Sequence, residues 1–310
     1  MQVHRALDQL PPFRNAVVTI GTFDGVHKGH QQIISRMKAV AAETNGETVI
    51  LTFHPHPRKI VNGTSGPVAL LNTLDEKIAL LSAQGVDHLV VIPFTREFSQ
   101  LSADEYIEHF LVRYFHPHTI IIGYDHRFGN NRSGDFRLLE QRGPDFGFRV
   151  REIPEQVLDD IKVSSTRIRE ALLNGNPPLA AELLGYAYFF EGRVVKGQQL
   201  GRTLGFPTAN IAVPDEEKLI PGNGVYAVTV ETPQMLKGMM NIGVRPTVDG
   251  IGRVIEVHLL DYAGDLYDRT LRITLRAWLR PEQRFNGLDA LKAQLATDRQ
   301  NTIQELTKIL

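Results

Sequence analysis

Between residues 16 and 153, short β-branched runs alternate with longer stretches of helical period, and this alternation constrains the fold more than any other feature. A strand followed by a helical crossover and another strand implies parallel pairing, whereas antiparallel neighbours need only a tight turn. The strand candidates are 16–20, 48–53, 88–93, 119–123 and 148–153, with helical patterns at 31–42, 74–84, 102–115 and 136–142. Runs such as Ile120 to Ile122 are apolar on both faces, as expected when helices cover both sides of a sheet. This half reads as a doubly wound α/β domain.

A further helix, 165–173, stops at Asn174-Gly175 just before Pro177-Pro178, a helix-ending arrangement and one candidate boundary. After a short helical stretch at 179–184, closely spaced strands take over at 188–196, 224–231, 237–242, 253–260 and 270–279. Pro221-Gly222-Asn223-Gly224, Val248-Asp249-Gly250 and Ala263-Gly264-Asp265 punctuate them, so a small antiparallel β-barrel is expected rather than a second βαβ array. Residues 288–310 form an amphipathic pattern whose Leu291, Leu295, Ile303, Leu306 and Ile309 would cover the barrel as a terminal helix. A length of 310 residues agrees with two domains. The boundaries predicted are 1–184 and 185–310.

Composition removes several classes of function. With no cysteine there is no disulfide framework, thiolate nucleophile or Cys-ligated metal. Lys+Arg 34 against Asp+Glu 35 leaves a net charge of -1, without the basic field that non-specific nucleic-acid binding requires. The first residues mix charge and proline where a secretory signal would be continuously apolar, and no apolar run approaches the roughly 18 residues of a membrane span. The expectation is a cytoplasmic protein with no nucleic-acid or membrane partner, acting on small molecules as a monomer or weak oligomer.

The chemistry is concentrated in two constellations. In the first, Val17 to Ile34 leads from a strand through a glycine-rich turn and two histidines into a helix. Gly21, Gly25 and Gly29 allow close backbone approach to a ligand, and the helix start presents free N–H groups and a positive dipole end. An anionic ligand follows. His27 and His30 are three apart, so their imidazoles can converge on one phosphate. Neither the GxxxxGK[ST] loop nor the GxGxxG fingerprint occurs here. Ser164, Ser165 and Thr166 begin a later helix that also carries Arg167 and Arg169; hydroxyls there can cap the helix or contact phosphate oxygens. Residues 51–60 and 121–135 follow the second and fourth strands, at the ends where open α/β sheets bind ligands.

His27-Lys28-Gly29-His30 resembles the HxGH signature of the nucleotidylyltransferase superfamily, and the stretch from Gly21 to Gln31 resembles bacterial FAD synthetases more narrowly. The resemblance implies that His27 and His30 stabilise charge on a triphosphate while a substrate phosphate attacks the α-phosphorus. It further implies nucleotide contacts from Gly21, Phe23, Asp24, Gly25 and Gly29, and from Ser165 and Thr166 of the (I/V)SSTxIR motif, whose Arg169 would be catalytic, reaching the transferring phosphate. Flavin contacts would come from His54, Pro55, Pro57, Asp125 and Arg132. His126 stands where this family commonly has phenylalanine. Two HxH pairs, His54/His56 and His116/His118, raise a transition-metal site, but prolines neighbour both and no carboxylate spacing completes one. For His116 and His118, solvated or core histidines are the better account.

In the second constellation a glycine-bearing segment, Gly201 to Gly205, precedes Pro207-Thr208-Ala209-Asn210. Thr208 and Asn210 are alternate residues, so in an extended segment both face one way and can jointly address a Mg²⁺ ion or a phosphate. Glu256 and His258 share a face of a later strand, where a carboxylate can accept a hydroxyl proton. With Asn241 to Thr247 and the segments at 271–285 and 285–298, these residues resemble bacterial riboflavin kinase. The resemblance implies that Thr208 and Asn210 hold Mg–ATP, that Glu256 activates the ribityl hydroxyl, and that 201–205 covers the nucleotide. Asp268 occupies a position that this family often fills with glycine.

The ordered motifs together resemble the bifunctional bacterial riboflavin kinase/FAD synthetase family. That implies phosphorylation of riboflavin to FMN in the barrel and adenylylation of FMN to FAD at the sheet, with Mg²⁺ and ATP. Two alternatives are an adenylyltransferase whose barrel only binds flavin, and a non-catalytic flavin or nucleotide store.

Overall fold

The computed structural model describes residues 1–61, 69–153, 163–197, 200–247 and 250–309. The chain divides into two compact units, Met1–Ser165 and Thr166–Leu310.

The first unit is built on strands β1 (Gln2–His4), β2 (Val17–Ile20), β3 (Thr48–His54), β4 (His88–Pro93), β5 (Thr119–Gly123) and β6 (Arg149–Ile153). All pairs are parallel, in the order β1-β4-β3-β2-β5-β6. Two buried clusters divide the strand residues by parity. Val18, Ile20, Val49, Leu51, Ile120 and Ile122 pack to one side, and Val17, Ile50, Leu89, Val91 and Ile121 to the other. This is why the strands read as continuously apolar: both faces of the sheet are covered.

Helix Lys28–Thr44 buries Ile34, Met37, Val40 and Ala41 at helical spacing. Helix Leu74–Ala83 begins in a capping box, Thr73 accepting from the Glu76 amide while Glu76 accepts from that of Thr73. The pattern at 102–115 becomes three joined pieces, Ala103–Glu105, a wider π-helical Tyr106–Val112 and Arg113–Phe115. Helix Phe136–Phe146 continues beyond the expected residue 142 and carries Pro144 in its last turn. The edge strand β1 has only three residues, too short for its alternation to be read.

From β2 the chain proceeds outward to β3 in one direction, while β5 and β6 lie on the other side of β2. The topological switch point therefore lies between the carboxyl ends of β2 and β5, where a doubly wound sheet opens a ligand crevice.

The second unit contains nearly all of helix Ser165–Leu173, helix Pro177–Leu184 and a closed antiparallel barrel ordered β10-β11-β8-β7-β12-β9. Its strands are β7 (Phe189–Val195), β8 (Ala209–Ala212), β9 (Gly224–Glu231), β10 (Met235–Thr247), β11 (Gly250–Leu259) and β12 (Thr270–Arg280). β8 is an additional strand, formed by the extended segment that holds Asn210. The expected turn at Val248-Asp249 lies outside the described residues. The glycine-bearing segment expected as a flexible cover contains a short helix, Leu200–Leu204.

The terminal helix, Leu288–Ile309, buries Asp298, Thr302 and Leu306, with Leu291, Leu295 and Ile303 half-buried. Ile309, expected to cover the barrel, is 47% exposed. The buried line includes Asp298, which is tied to Arg280 of β12, and Ile309 lies beyond Leu306 in the last turn. Among the described residues no helix is long and apolar enough to cross a membrane.

Candidate functional sites

The turn after β2 sits at the switch point and is shaped by backbone that few side chains tolerate. Phe23 and Val26 have φ of 47° and 37°, and Gly25 has φ of 91°. Positive φ in bulky residues is uncommon and persists only where the surroundings hold it. Here the holding contacts are specific. Asp24, 2% exposed, accepts the Leu71 amide at 2.8 Å and the Asn72 amide at 3.4 Å on Oδ1, while its carbonyl accepts Ser165 Oγ at 2.9 Å. The Thr22 carbonyl accepts Lys77 Nζ at 2.6 Å and Thr52 Oγ1 at 3.2 Å.

His27 is the N-cap of helix Lys28–Thr44, its Nδ1 accepting the His30 amide at 3.4 Å. The two imidazoles stack with centroids 3.7 Å apart and planes 15° apart, and Phe23 packs on His30 at 4.8 Å. Gly29 makes this possible, because a Cβ there would lie 3.2 Å from the His27 ring. Burial pushes His27 down to about 4 from its ordinary 6.5. His30 falls well below its ordinary value, first through burial and then through His27 and Lys77. Two neutral imidazoles, one with a buried and unbonded Nδ1, therefore face the helix start. Each has an N–H to offer an anion, and helix amides lie alongside. Gly21, bonded through its amide to the Leu51 carbonyl, begins this turn, and Ser165 joins it through Asp24. Thr166 and Arg169 fall in the second unit, Thr166 exposed and Arg169 half-buried.

The residues expected to meet a flavin lie at other carboxyl ends of the same sheet. His54 ends β3, exposed, and a cis bond joins it to half-buried Pro55; Pro57 begins helix Pro57–Val61. Asp125 and Arg132 are exposed in the segment after β5, where both act electrostatically on His126. The His126 ring stacks near Phe128 at 6.0 Å and 29° with Nε2 buried and unbonded, so the imidazole occupies an aromatic's place. Burial pushes it down to about 4. Of the remaining histidines weighed as metal ligands, His56 accepts the Arg58 amide at 3.2 Å and His118 pairs with Thr119 Oγ1 at 2.9 Å.

In the barrel, Glu256 of β11 lies directly opposite Asn210 of β8 on one side and Asn241 of β10 on the other. Cross-strand partners share a face, so three strands present a polar row Asn210–Glu256–Asn241. Glu256 and Asn241 line a cavity of about 270 Å³ together with Gly201, Thr208, Phe206 and Met239. His258, two residues along β11, holds the Pro207 carbonyl at 2.8 Å through Nδ1 and meets Phe206 edge-on. That bond fixes the backbone next to Thr208. At the far wall Arg280 grips Asp298, itself 1% exposed, through three contacts of 2.7 to 3.1 Å.

Several contributors were not singled out as site residues in the sequence. Lys77 and the Leu71 and Asn72 amides meet the first turn from residues about fifty positions away. Asn241 joins Glu256 only through strand register, and the Arg280–Asp298 pair only through docking of the terminal helix.

The FAD synthetase family matches residues 11–167 and the riboflavin kinase family residues 184–306. The bifunctional riboflavin kinase/FMN adenylyltransferase of Escherichia coli K12 is 42% identical over 93% of this chain and 91% of its own length. Its counterpart in Pseudomonas fluorescens is 41% identical over 96% of each chain. A crystal structure from Streptococcus pneumoniae, described as a macrolide-efflux protein, superposes with a TM-score of 0.87 at 30% identity, covering 97% of this chain and 98% of that one. With both family regions in order and such identity along nearly the whole length, the chain belongs to the bifunctional riboflavin kinase/FMN adenylyltransferase family.

Proposed function

We infer that this chain makes flavin cofactors in two steps, converting riboflavin and ATP to FMN and ADP in the barrel, then FMN and ATP to FAD and pyrophosphate at the sheet. The observation that carries this reading is the polar row Asn210–Glu256–Asn241, of which Glu256 and Asn241 line the barrel cavity, in a chain whose other unit holds a separate histidine turn. The assignments are 185–310 for the kinase and 1–184 for adenylyl transfer. Its working setting is cytoplasmic, with small-molecule partners only.

In the kinase step Glu256 accepts the proton of the ribityl hydroxyl as its oxygen attacks the γ-phosphorus of ATP. The side chains of Thr208 and Asn210 offer oxygen donors, which suit Mg²⁺ shared with nucleotide phosphates. When bound, that ion would neutralise phosphate charge. His258 positions Thr208 through the Pro207 carbonyl. The phosphate made here becomes the nucleophile of the second step, where His27, His30 and the helix amides stabilise charge spreading over the attacked α-phosphate. No side-chain nucleophile is needed, which accords with a chain lacking cysteine. Thr166 and Arg169 carry the assignment their motif implies. His54, Pro55, Pro57, Asp125 and Arg132 carry the flavin assignment.

Chromatography of the products from riboflavin, ATP and Mg²⁺ tests the reading. Glu256→Gln is expected to abolish FMN formation while FAD still forms from supplied FMN; His30→Ala is expected to stop FAD formation while FMN accumulates. If Glu256→Gln left FMN formation intact, the barrel would be a binding module. Absence of both products from the unsubstituted protein would make it a store.

A further inference from the structure

A basic side chain outside every motif lies beneath the histidine turn. Lys77 is 7% exposed, in the first turn of helix Leu74–Ala83, and donates to the Thr22 carbonyl at 2.6 Å. A lysine is rarely buried to this degree unless its charge is answered. The Asp24 carboxylate attracts it, and it in turn disfavours a charge on His30. His27, stacked on His30, and Glu76, engaged with the Thr73 amide on the same helix, are the other titratable groups nearby.

We propose that Lys77 is a positioning residue for adenylyl transfer, its ammonium holding the strained Thr22–Val26 turn in its ligand-receiving form and setting a positive charge behind His30 when phosphate arrives. The proposal rests on the assignment of adenylyl transfer to this turn. Three observations support it. The turn contains two bulky residues at positive φ, which need external fixing. Lys77 supplies the shorter of the two side-chain bonds to the Thr22 carbonyl, on the residue that enters the strained stretch. Its neighbour Asp24 is itself anchored by the Leu71 and Asn72 amides, so the segment leading into this helix and the helix itself grip consecutive parts of the turn.

The charge distinguishes this role from a simple tether. Burial brings Lys77 down to about 8 despite Asp24, so without ligand its proton is lost as pH rises through that value. A polyanion beside His30 would favour the protonated form. Nucleotide binding and retention of this proton are thereby coupled.

The test is steady-state FAD formation from FMN and ATP between about pH 6.5 and about 9.5, in the unsubstituted chain, Lys77→Gln and His30→Ala. Lys77→Gln keeps a donor, one bond shorter, and removes the charge. Its kcat/KM for ATP at neutral pH is expected to fall about tenfold or more, as for loss of a charge-assisted bond. The decline of the unsubstituted enzyme above about pH 8 should vanish in this variant, and FMN formation from riboflavin should stay unchanged. Activity of Lys77→Gln within about twofold of the unsubstituted chain would overturn the proposal. So would an unsubstituted profile that stays flat through this range, a result that stands even if the variant fails to fold. Full FAD formation by His30→Ala would instead overturn the assignment of the turn.

Discussion

At the scale of single residues, burial in the first unit keeps three imidazoles neutral. His27 and His126 are held down to about 4, and His30 well below its ordinary value, because desolvation disfavours their cations. In the unfolded chain these groups protonate near 6.5, so between that value and about 4 the unfolded state binds more protons. Stability is therefore complete above the unfolded value and is lost as pH falls, by about 2 kcal/mol at about pH 5 for one such histidine. Hydrogen exchange of the β2 and β5 amides at about pH 7.5 and about pH 5 should register this loss. His126→Phe, which replaces a buried unbonded nitrogen next to Phe128, should raise stability at neutral pH by about 1 kcal/mol and reduce the acid loss. No difference between the two proteins would show that Nε2 is satisfied. Asp268 illustrates the other kind of departure: its φ of 64° explains why glycine suits the position, and here its carboxylate accepts from Arg193 at 2.8 Å.

At the scale of elements the barrel cavity depends on how the terminal helix docks. Asp298 meets Arg280 of β12 through both carboxylate oxygens and also accepts Gln294 Nε2 at 2.9 Å. Removing one partner strands a buried charge, whereas replacing both by apolar groups does not. Asp298→Ala is expected to destabilise the second unit by about 3 to 5 kcal/mol in urea unfolding. Arg280→Met combined with Asp298→Leu should recover most of that loss. A double variant no more stable than the single would mean that the pair supplies geometry that packing cannot replace. The amphipathic pattern had placed a helix here correctly, with Leu306 buried, but hydropathy gives no reason to put Asp298 and Thr302 on the inner line. Asp298 is paired with an arginine 18 residues earlier on another element, and Thr302 donates to the Asp298 carbonyl at 2.8 Å. Short β1 and β8 were hidden for a related reason: three and four residues carry too little alternation, and only their partners define them.

At the scale of the whole molecule, two compact units divide between Ser165 and Thr166, about twenty residues before the predicted 184/185 boundary. Helices Ser165–Leu173 and Pro177–Leu184 bury Leu172, Ala180, Leu183 and Leu184, and the Gly222 amide donates to the Leu172 carbonyl at 3.0 Å within the second unit. A fragment of residues 166–310 should therefore unfold at higher urea than 185–310 while forming FMN from riboflavin. Equal midpoints would place those helices outside the barrel's cooperative unit. By itself the sequence determined the two architectures and the principal chemical groups, because hydrophobic period and the glycine, histidine and PTAN motifs are local signals. Only the tertiary structure decided which distant residues join them: Lys77 under the turn, Asn241 beside Glu256 and His258 on the Pro207 carbonyl. Those partners are chosen by strand register and by helix docking, which are settled when separate elements bury their faces together and leave no trace in the spacing of neighbouring residues.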